Sequence, residues 1–203
     1  MSDIPITIAV EDVLSEAVVR EMLKQSERPF SIGLCLNKGG YGYLKRIVPG
    51  LNKAAQGMPY LVLTDLDNAE CPLAIISNWL KTPKHRNLIF RVAVREVEAW
   101  LLADREAFAE FLGIAVTLIP QDADAIADPK QTLINLAKKS RKRTLRKGIV
   151  PPSKTTAKIG RDYNGQLIPF VKQIWKVDSA IPHSSSLERA MKALLTFEPN
   201  YET

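Results

Sequence analysis

Cysteine is nearly absent from this chain: Cys35 and Cys71 are the two thiols in 203 residues. Two thiols exclude a disulfide framework and a cysteine-based zinc site. Histidine is equally scarce, with His85 and His183 standing apart from one another, and both are read as surface residues. No apolar run approaches the roughly 20 residues that a membrane-spanning helix needs, so no membrane partner is expected. The start, MSDIPITIAVEDV, lacks the basic residues and small-residue cleavage site of a signal peptide. A cytoplasmic protein is the expectation.

Acidic residues are missing from one place in particular. Between Pro129 and Arg161 there are 11 basic residues and no acidic one, while the remainder carries 17 basic against 22 acidic. The net charge of +6 is therefore a mildly acidic body plus one strongly basic segment. Such asymmetry points to a polyanionic partner, nucleic acid before membrane. What is present, 46% apolar and 25% charged residues, is a globular composition able to bury a full core.

The first half alternates strand and helix. Ile4–Val10, Phe30–Leu36, Pro59–Thr64 and Leu88–Val94 read as short apolar strands. Val13–Lys24, Tyr43–Ala55, Pro72–Leu80 and Arg95–Ala103 read as the helices between and after them. Strands that are apolar on both faces must be covered on both, and the connections are long enough for crossover helices. The expectation is an α/β fold: a mainly parallel four-stranded sheet sandwiched by helices. After Asp104 the pattern changes. Arg105–Leu112 continues as a helix stopped by Gly113, Ile114–Ala127 is poorly patterned, and Lys130–Lys139 is helical. A basic, breaker-rich stretch follows. Gln166–Lys176 and Ser186–Thr196 close the chain as helices, the second with a capping-box signature in Ser185 and Glu188. The expected organisation is an α/β core over 1–112. A helical appendage over 113–203 packs on it and carries the basic segment 129–161.

In open parallel sheets, ligands gather at the carboxyl ends of the strands, and acids lie there in this sequence. Glu11 ends the first strand, with Glu16 a turn later. Asp65 and Asp67 end the third, and Glu96 and Glu98 follow the fourth. The second ends in Lys38 and two glycines. Carboxylates converging on one edge need a cation or a shared proton, and oxygen-only ligands select Mg²⁺ or Mn²⁺ over zinc. Asp65 and Asp67 point the same way if the strand persists through both. An isolated Asp-x-Asp is also a common surface turn, and it occurs in nucleotide-sugar glycosyltransferases and haloacid-dehalogenase-type phosphatases. The ordered combination, Glu after the first strand and Asp-x-Asp after the third, is more specific.

At these residues the sequence resembles the TOPRIM fold, the catalytic domain of type II topoisomerases, primases and several nucleases. VEDVLSEAVV is similar to the TOPRIM segment in which Val-Glu-Gly precedes a second Glu, with Asp12 where Gly is usual. The resemblance is closer to a domain-of-unknown-function family of TOPRIM-like proteins carrying Glu-x-Trp-x-x-x-Asp after the fourth strand. Glu98, Trp100 and Asp104 match that motif here. DPK (Asp128–Lys130), GRDYN (Gly160–Asn164) and SLERA (Ser186–Ala190) are similar to later segments of the same family. Relatives in the overcoming-lysogenization-defect family fuse a TOPRIM to an ATP-binding-cassette-type ATPase. In the present family the ATPase is often a separate neighbour. The resemblance thus implies a Mg²⁺-dependent (or Mn²⁺-dependent) nuclease in anti-phage defence, controlled by an ATPase partner.

Phosphodiester cleavage by two metals requires carboxylates holding ions about 3.5–4 Å apart. Asp65 and Asp67 are the expected ligands, and Glu11 a ligand or the general base. Glu98 is the expected ligand after the fourth strand, with Glu96 as substitute. Glu16 either holds a second ion or is a solvated helix residue. Lys38 either neutralises the scissile phosphate or is a plain turn lysine; NKGGYGY is no Walker A motif. Asp104 is read as an N-cap for the next helix, and Trp100 as core. Lys138, Lys139, Arg141, Lys142, Arg143, Arg146 and Lys147, joined by Lys158, Arg161 and Tyr163 beside a predicted turn, read as a nucleic-acid clamp. Docking of an acidic protein and a mobile solubilising loop are the other readings. Their phosphate contacts would be salt-sensitive and blind to sequence. Two further readings of the whole chain remain open: a TOPRIM-shaped binding subunit that cuts nothing, and a nucleotide-sugar transferase. Substrate, DNA or RNA, and oligomeric state, a homo-oligomer included, are left open.

Overall fold

The computed structural model describes residues 3–201. The chain forms two compact units, one of Met1–Val94 with Glu188–Thr203 and one of Arg95–Leu187.

In the first unit, β1 (Ile4–Ala9), β2 (Phe30–Leu36), β3 (Tyr60–Asp65) and β4 (Leu88–Ala93) form one sheet in the order β2-β1-β3-β4. All three pairings are parallel. The helices between them are α1 (Val13–Gln25), α2 (Gly40–Ala54) and α3 (Pro72–Trp79). The chain steps one way from β1 to β2, then returns past β1 to β3 and continues to β4. With right-handed crossovers, that reversal places α1 on one face and α2 and α3 on the other. The core agrees. Ala9, Val62, Leu88, Phe90 and Val92 bury one face together with Leu44 and Val48 of α2 and Ile75 and Trp79 of α3. Ile6 and Ile8 alternate with Ala9 onto the opposite face and are fully buried, as are Leu14 and Val18 of α1. The β1–β2 register slips between Ile6 and Ile8, giving β2 one extra residue beside Gly33 and Leu34, a β-bulge on an edge strand.

Local chemistry sets the helix starts. The Asp12 carboxylate accepts the Ser15 N–H at 2.8 Å and caps α1. Gly39 begins α2 at φ 103°, and a Cβ there would lie 2.8 Å from that of Tyr43, so only glycine fits. Pro72 occupies the first turn of α3, where its missing N–H costs nothing.

The second unit is helical: α4 (Val97–Ala103), α5 (Arg105–Leu112), α6 (Pro129–Lys138), α7 (Arg143–Ile149), α8 (Tyr163–Gln173) and α9 (Val177–Ala180). Phe108 and Phe170 pack edge to face at 5.1 Å. Trp100 is fully buried; its indole N–H donates to Ser186 Oγ at 2.7 Å, and its carbonyl accepts the Trp175 N–H at 3.0 Å. The final helix, α10 (Ser185–Leu195), begins in this unit and continues into the first. Several expected boundaries move. The basic stretch read as a breaker-rich loop contains α7. Helix α8 starts three residues early, with Asp162 at its N-cap position. The cap of α10 is Ser184, whose Oγ accepts the Leu187 N–H at 3.2 Å, while Asp124 takes the Ser186 N–H at 2.7 Å. His85 and His183 are half-buried. His85 Nδ1 accepts the Asn87 N–H at 3.2 Å, and His183 Nδ1 lies 2.9 Å from the Gln121 carbonyl.

One polar clip closes the first unit. Asn87 is fully buried; its amide donates to the carbonyls of Ala55 at 3.0 Å and Asn200 at 2.6 Å, and its oxygen accepts the Asn200 N–H at 2.8 Å. Beside it Phe197 stacks on Phe30, and Arg28 pairs with Glu198 at 2.8 Å. Replacing Asn87 with Ala strands buried backbone groups, each costing about 1–3 kcal/mol. A loss of about 3 kcal/mol is expected for Asn87→Ala, read from the urea unfolding midpoint.

Candidate functional site

Parallel pairing puts the carboxyl ends of all four strands at one end of the sheet. Between β1 and β3 the strand order reverses, the topological switch point at which open α/β sheets take their ligands. Glu11 follows β1 there, and Asp65 is the last residue of β3. The Glu11 carboxylate accepts from the Thr64 hydroxyl, and from the Asp65 N–H at 3.1 Å. β3 stops at Asp65. Asp67 lies in the following turn at φ 47°, a left-handed position that Asp tolerates, so the pair does not share a strand face. The Asp67 charge nonetheless reaches Glu11. Burial, opposed by the two hydrogen bonds and reinforced by Asp67 and Asp12, holds the Glu11 carboxyl above its usual range.

Lys38 is exposed beyond the end of β2, on the far side of β1 from β3. It directly precedes the N-terminus of α2, which has no side-chain cap. Glu16, in the first turn of α1, is engaged already: Arg20 donates to it at 2.8 Å, and Asn37 also donates to it. Its carboxyl is held low by these partners despite burial. The neighbouring Cys35 thiol is pushed up to about 12 by burial and the Glu16 charge, so it stays protonated.

The acids after β4 belong to the second unit, and the structure gives them a partner that sequence patterning missed. Lys130, from the DPK segment at the start of α6, reaches Glu96 at 2.9 Å and Glu98 at 3.5 Å. Its backbone N–H also donates to Glu96 at 2.8 Å. Tyr163 donates its hydroxyl to Glu98 at 2.9 Å. It is delivered by a tight backbone crossing in which Gly160 N–H bonds the Ile149 carbonyl at 2.9 Å. A Cβ on Gly160 would sit 2.0 Å from the Gly148 oxygen, so the GRDYN glycine is required. The second oxygen of Glu98 is buried with no hydrogen-bond partner. Burial pushes the Glu98 carboxyl up to about 7, with Glu96 adding to the rise and Lys130 and Tyr163 opposing it. Asp104 stands at the N-cap position of α5, and its carboxylate accepts the Lys176 N–H at 2.8 Å.

Glu11, Asp65 and Asp67 offer oxygen alone, a donor set that suits a hard divalent cation, while the rise of the Glu11 carboxyl is chiefly the effect of its burial. Among the described residues, no group of three or more His, Cys, Asp or Glu side chains is gathered closely enough to hold an ion.

All nine of the candidate nucleic-acid cations are exposed: Lys138, Lys139, Arg141, Lys142, Arg143, Arg146, Lys147, Lys158 and Arg161. Among the described residues, none of them forms an ion pair. Arg143, Arg146 and Lys147 project from α7 while Leu145 and Ile149 are buried, so much of the basic surface is an ordered helix. Arg146 donates to the Ser140 carbonyl at 2.9 Å and Lys142 to that of Glu110 at 2.9 Å. Comparison with family models, with curated proteins and with solved structures found no match.

Glu98 sets a pH dependence. Its folded-state value of about 7 lies above its ordinary 4.5, so its contribution is most favourable below about pH 4.5 and declines as pH rises to about 7. Glu98→Gln removes that penalty. The variant is expected to exceed the wild type in stability at pH 8 by up to roughly 3 kcal/mol, and to converge with it near pH 5, by urea melts across that range.

Proposed function

We propose that this chain is a Mg²⁺-dependent (or Mn²⁺-dependent) nuclease of the TOPRIM type, cutting phosphodiester bonds in nucleic acid. The observation that carries this is the placement of Glu11 beside Thr64 and Asp65 at the topological switch point, with the Asp67 charge acting on it. Asp65 and Asp67 would hold the cation, and Glu11 would join them or act as general base. A carboxyl raised above its usual range is the better base near neutrality. The Thr64 hydroxyl and Asp65 N–H fix its orientation. When bound, the divalent cation supplies Lewis-acid stabilisation of the phosphate oxygens and of the attacking water. Lys38, beyond β2, offers positive charge to the phosphate being cut. Glu98 and Glu96 enter this reading through the TOPRIM resemblance, because both already share the Lys130 ammonium.

The nine candidate cations of the second unit, none in an ion pair among the described residues, would bind the phosphate backbone without reading sequence. The resemblance adds an ATP-binding-cassette-type ATPase as controlling partner and anti-phage defence as the setting. A second reading is a TOPRIM-shaped subunit that binds nucleic acid or a partner and cuts nothing. The pairing of Glu16 with Arg20 and of Glu96 and Glu98 with Lys130 favours it, since those acids already have side-chain partners in place of a metal ion.

The readings separate in one assay. With Mg²⁺ or Mn²⁺, and with the ATPase added, the wild type is expected to nick plasmid DNA or cleave RNA. Asp65→Ala is expected to lose at least a hundredfold of that rate while still binding nucleic acid. Equal cleavage by both would refute the nuclease reading, and binding without cleavage by the wild type would select the second. Replacing Lys142, Arg143, Arg146 and Lys147 with Gln is expected to weaken binding uniformly across sequences. The slope of log affinity against log salt should fall by about 3–4, measured by fluorescence anisotropy between 50 and 200 mM salt.

A further inference from the structure

The first unit holds a second cluster of charge, along the edge strand β4. A cavity of about 680 Å³ runs beside the first four residues of β4, Leu88 to Arg91. Successive strand residues point to opposite faces, so a cavity touching four in a row lies along the edge of the sheet. β4 is an edge strand. One wall is apolar, with Leu73 and Ile76 of α3 and Phe197. Leu73 is 72% exposed, unusual for a leucine on a helix that packs against the sheet.

The polar side is cationic. Lys84, Arg86 and Arg91 line the cavity, and Arg189 acts on Arg91 as a like charge. Arg91 is half-buried, and no hydrogen bond or ion pair of its side chain occurs among the described residues. Lys84 donates to the carbonyl of Leu88 at 2.8 Å and has no acidic partner there. The one carboxylate in the lining, Glu198, is already held by Arg28 at 2.8 Å. Arg91 is thus a half-buried cation without a counter-ion among the described residues, a cost that an anion would relieve. A second copy of this chain does not: a symmetric pairing along β4 would set these cations against their own copies.

We propose that this cavity binds a small phosphate-bearing molecule with an apolar body, of the mononucleotide class. The phosphate lies at Lys84, Arg86 and Arg91 and the apolar body against Leu73, Ile76 and Phe197. The volume falls within the usual 300–1,000 Å³ or so of small-molecule sites, and guanidinium groups suit phosphate through paired N–H donors. The site stands apart from the carboxylate edge and does not rest on the nuclease reading. Its ligand would be an effector, not the substrate.

AMP titrated into the full chain by calorimetry, with adenosine and inorganic phosphate alongside, tests this. AMP is expected to bind more tightly than either fragment. Arg91→Gln is expected to weaken AMP at least tenfold while leaving the melting temperature unchanged or higher, because it removes like-charge repulsion. Lys84→Gln, at an exposed position, gives the same answer if the first variant does not fold. Arg146→Gln, in the second unit, is expected to leave AMP binding unchanged. No binding by millimolar AMP, unaltered binding by Arg91→Gln or Lys84→Gln, or loss of binding in Arg146→Gln would each overturn the proposal. So would binding of a 5′-phosphorylated oligonucleotide with no binding of AMP.

Discussion

Everything at the carboxylate edge depends on the pairing of β1 with β3. These strands are 50 residues apart in sequence and adjacent in the sheet, with Ala9 opposite Val62. A slip of one residue would exchange the faces of every side chain in β3 and bury the wrong set. The register is fixed because both faces are covered: Val62 packs toward α2 and α3, while Leu61 and Leu63 face the other way, and all three are buried. Once Ala9 meets Val62, the chain ends just beyond are set side by side. Glu11 then finds Thr64 and the Asp65 N–H by geometry alone.

The same sheet shows how charge is sorted. Near Glu11, negative charge accumulates and lifts a carboxyl. Along the β4 edge, positive charge accumulates around Arg91 and two cations are lowered, with burial the larger cause in each case, as it is at Glu11. Neither accumulation is needed for folding, since apolar packing already holds the strands. Natural sequences pay for such conflicts where a ligand resolves them. In the second unit the conflict is resolved internally for Glu96 and only in part for Glu98, whose second oxygen stays unpartnered.

The α/β class and the order of the first four strands and three helices were legible because apolar runs alternated cleanly with 3.6-period segments. Phe30–Leu36 and Arg105–Leu112 fall where the spacing puts them. Helix α7 was not legible, because seven cations in ten positions masked a short buried stripe of Leu145 and Ile149. The acids were legible as residues, but their partners were not. Lys130 lies 34 positions from Glu96, and Tyr163 lies 65 from Glu98; no local pattern couples such pairs. The glycines of NKGGYGY and GRDYN did carry information. Gly39 and Gly160 are each forced by a contact that a Cβ would violate.

The Asn87 clip carries a consequence for how the protein is made. Its partner, Asn200, follows 113 positions later, and the whole helical unit is synthesised in between. As the chain leaves the ribosome, the sheet strands emerge first, while the segment that satisfies the buried amide arrives only after the helices have been translated. Until then the nascent sheet carries an Asn87 amide with only its Ala55 bond satisfied and an uncovered Phe30. Emergence of the Asn200 segment is therefore a commitment step for the first unit. Domains generally fold as units during synthesis, but this one is discontinuous in sequence and must wait for its second segment.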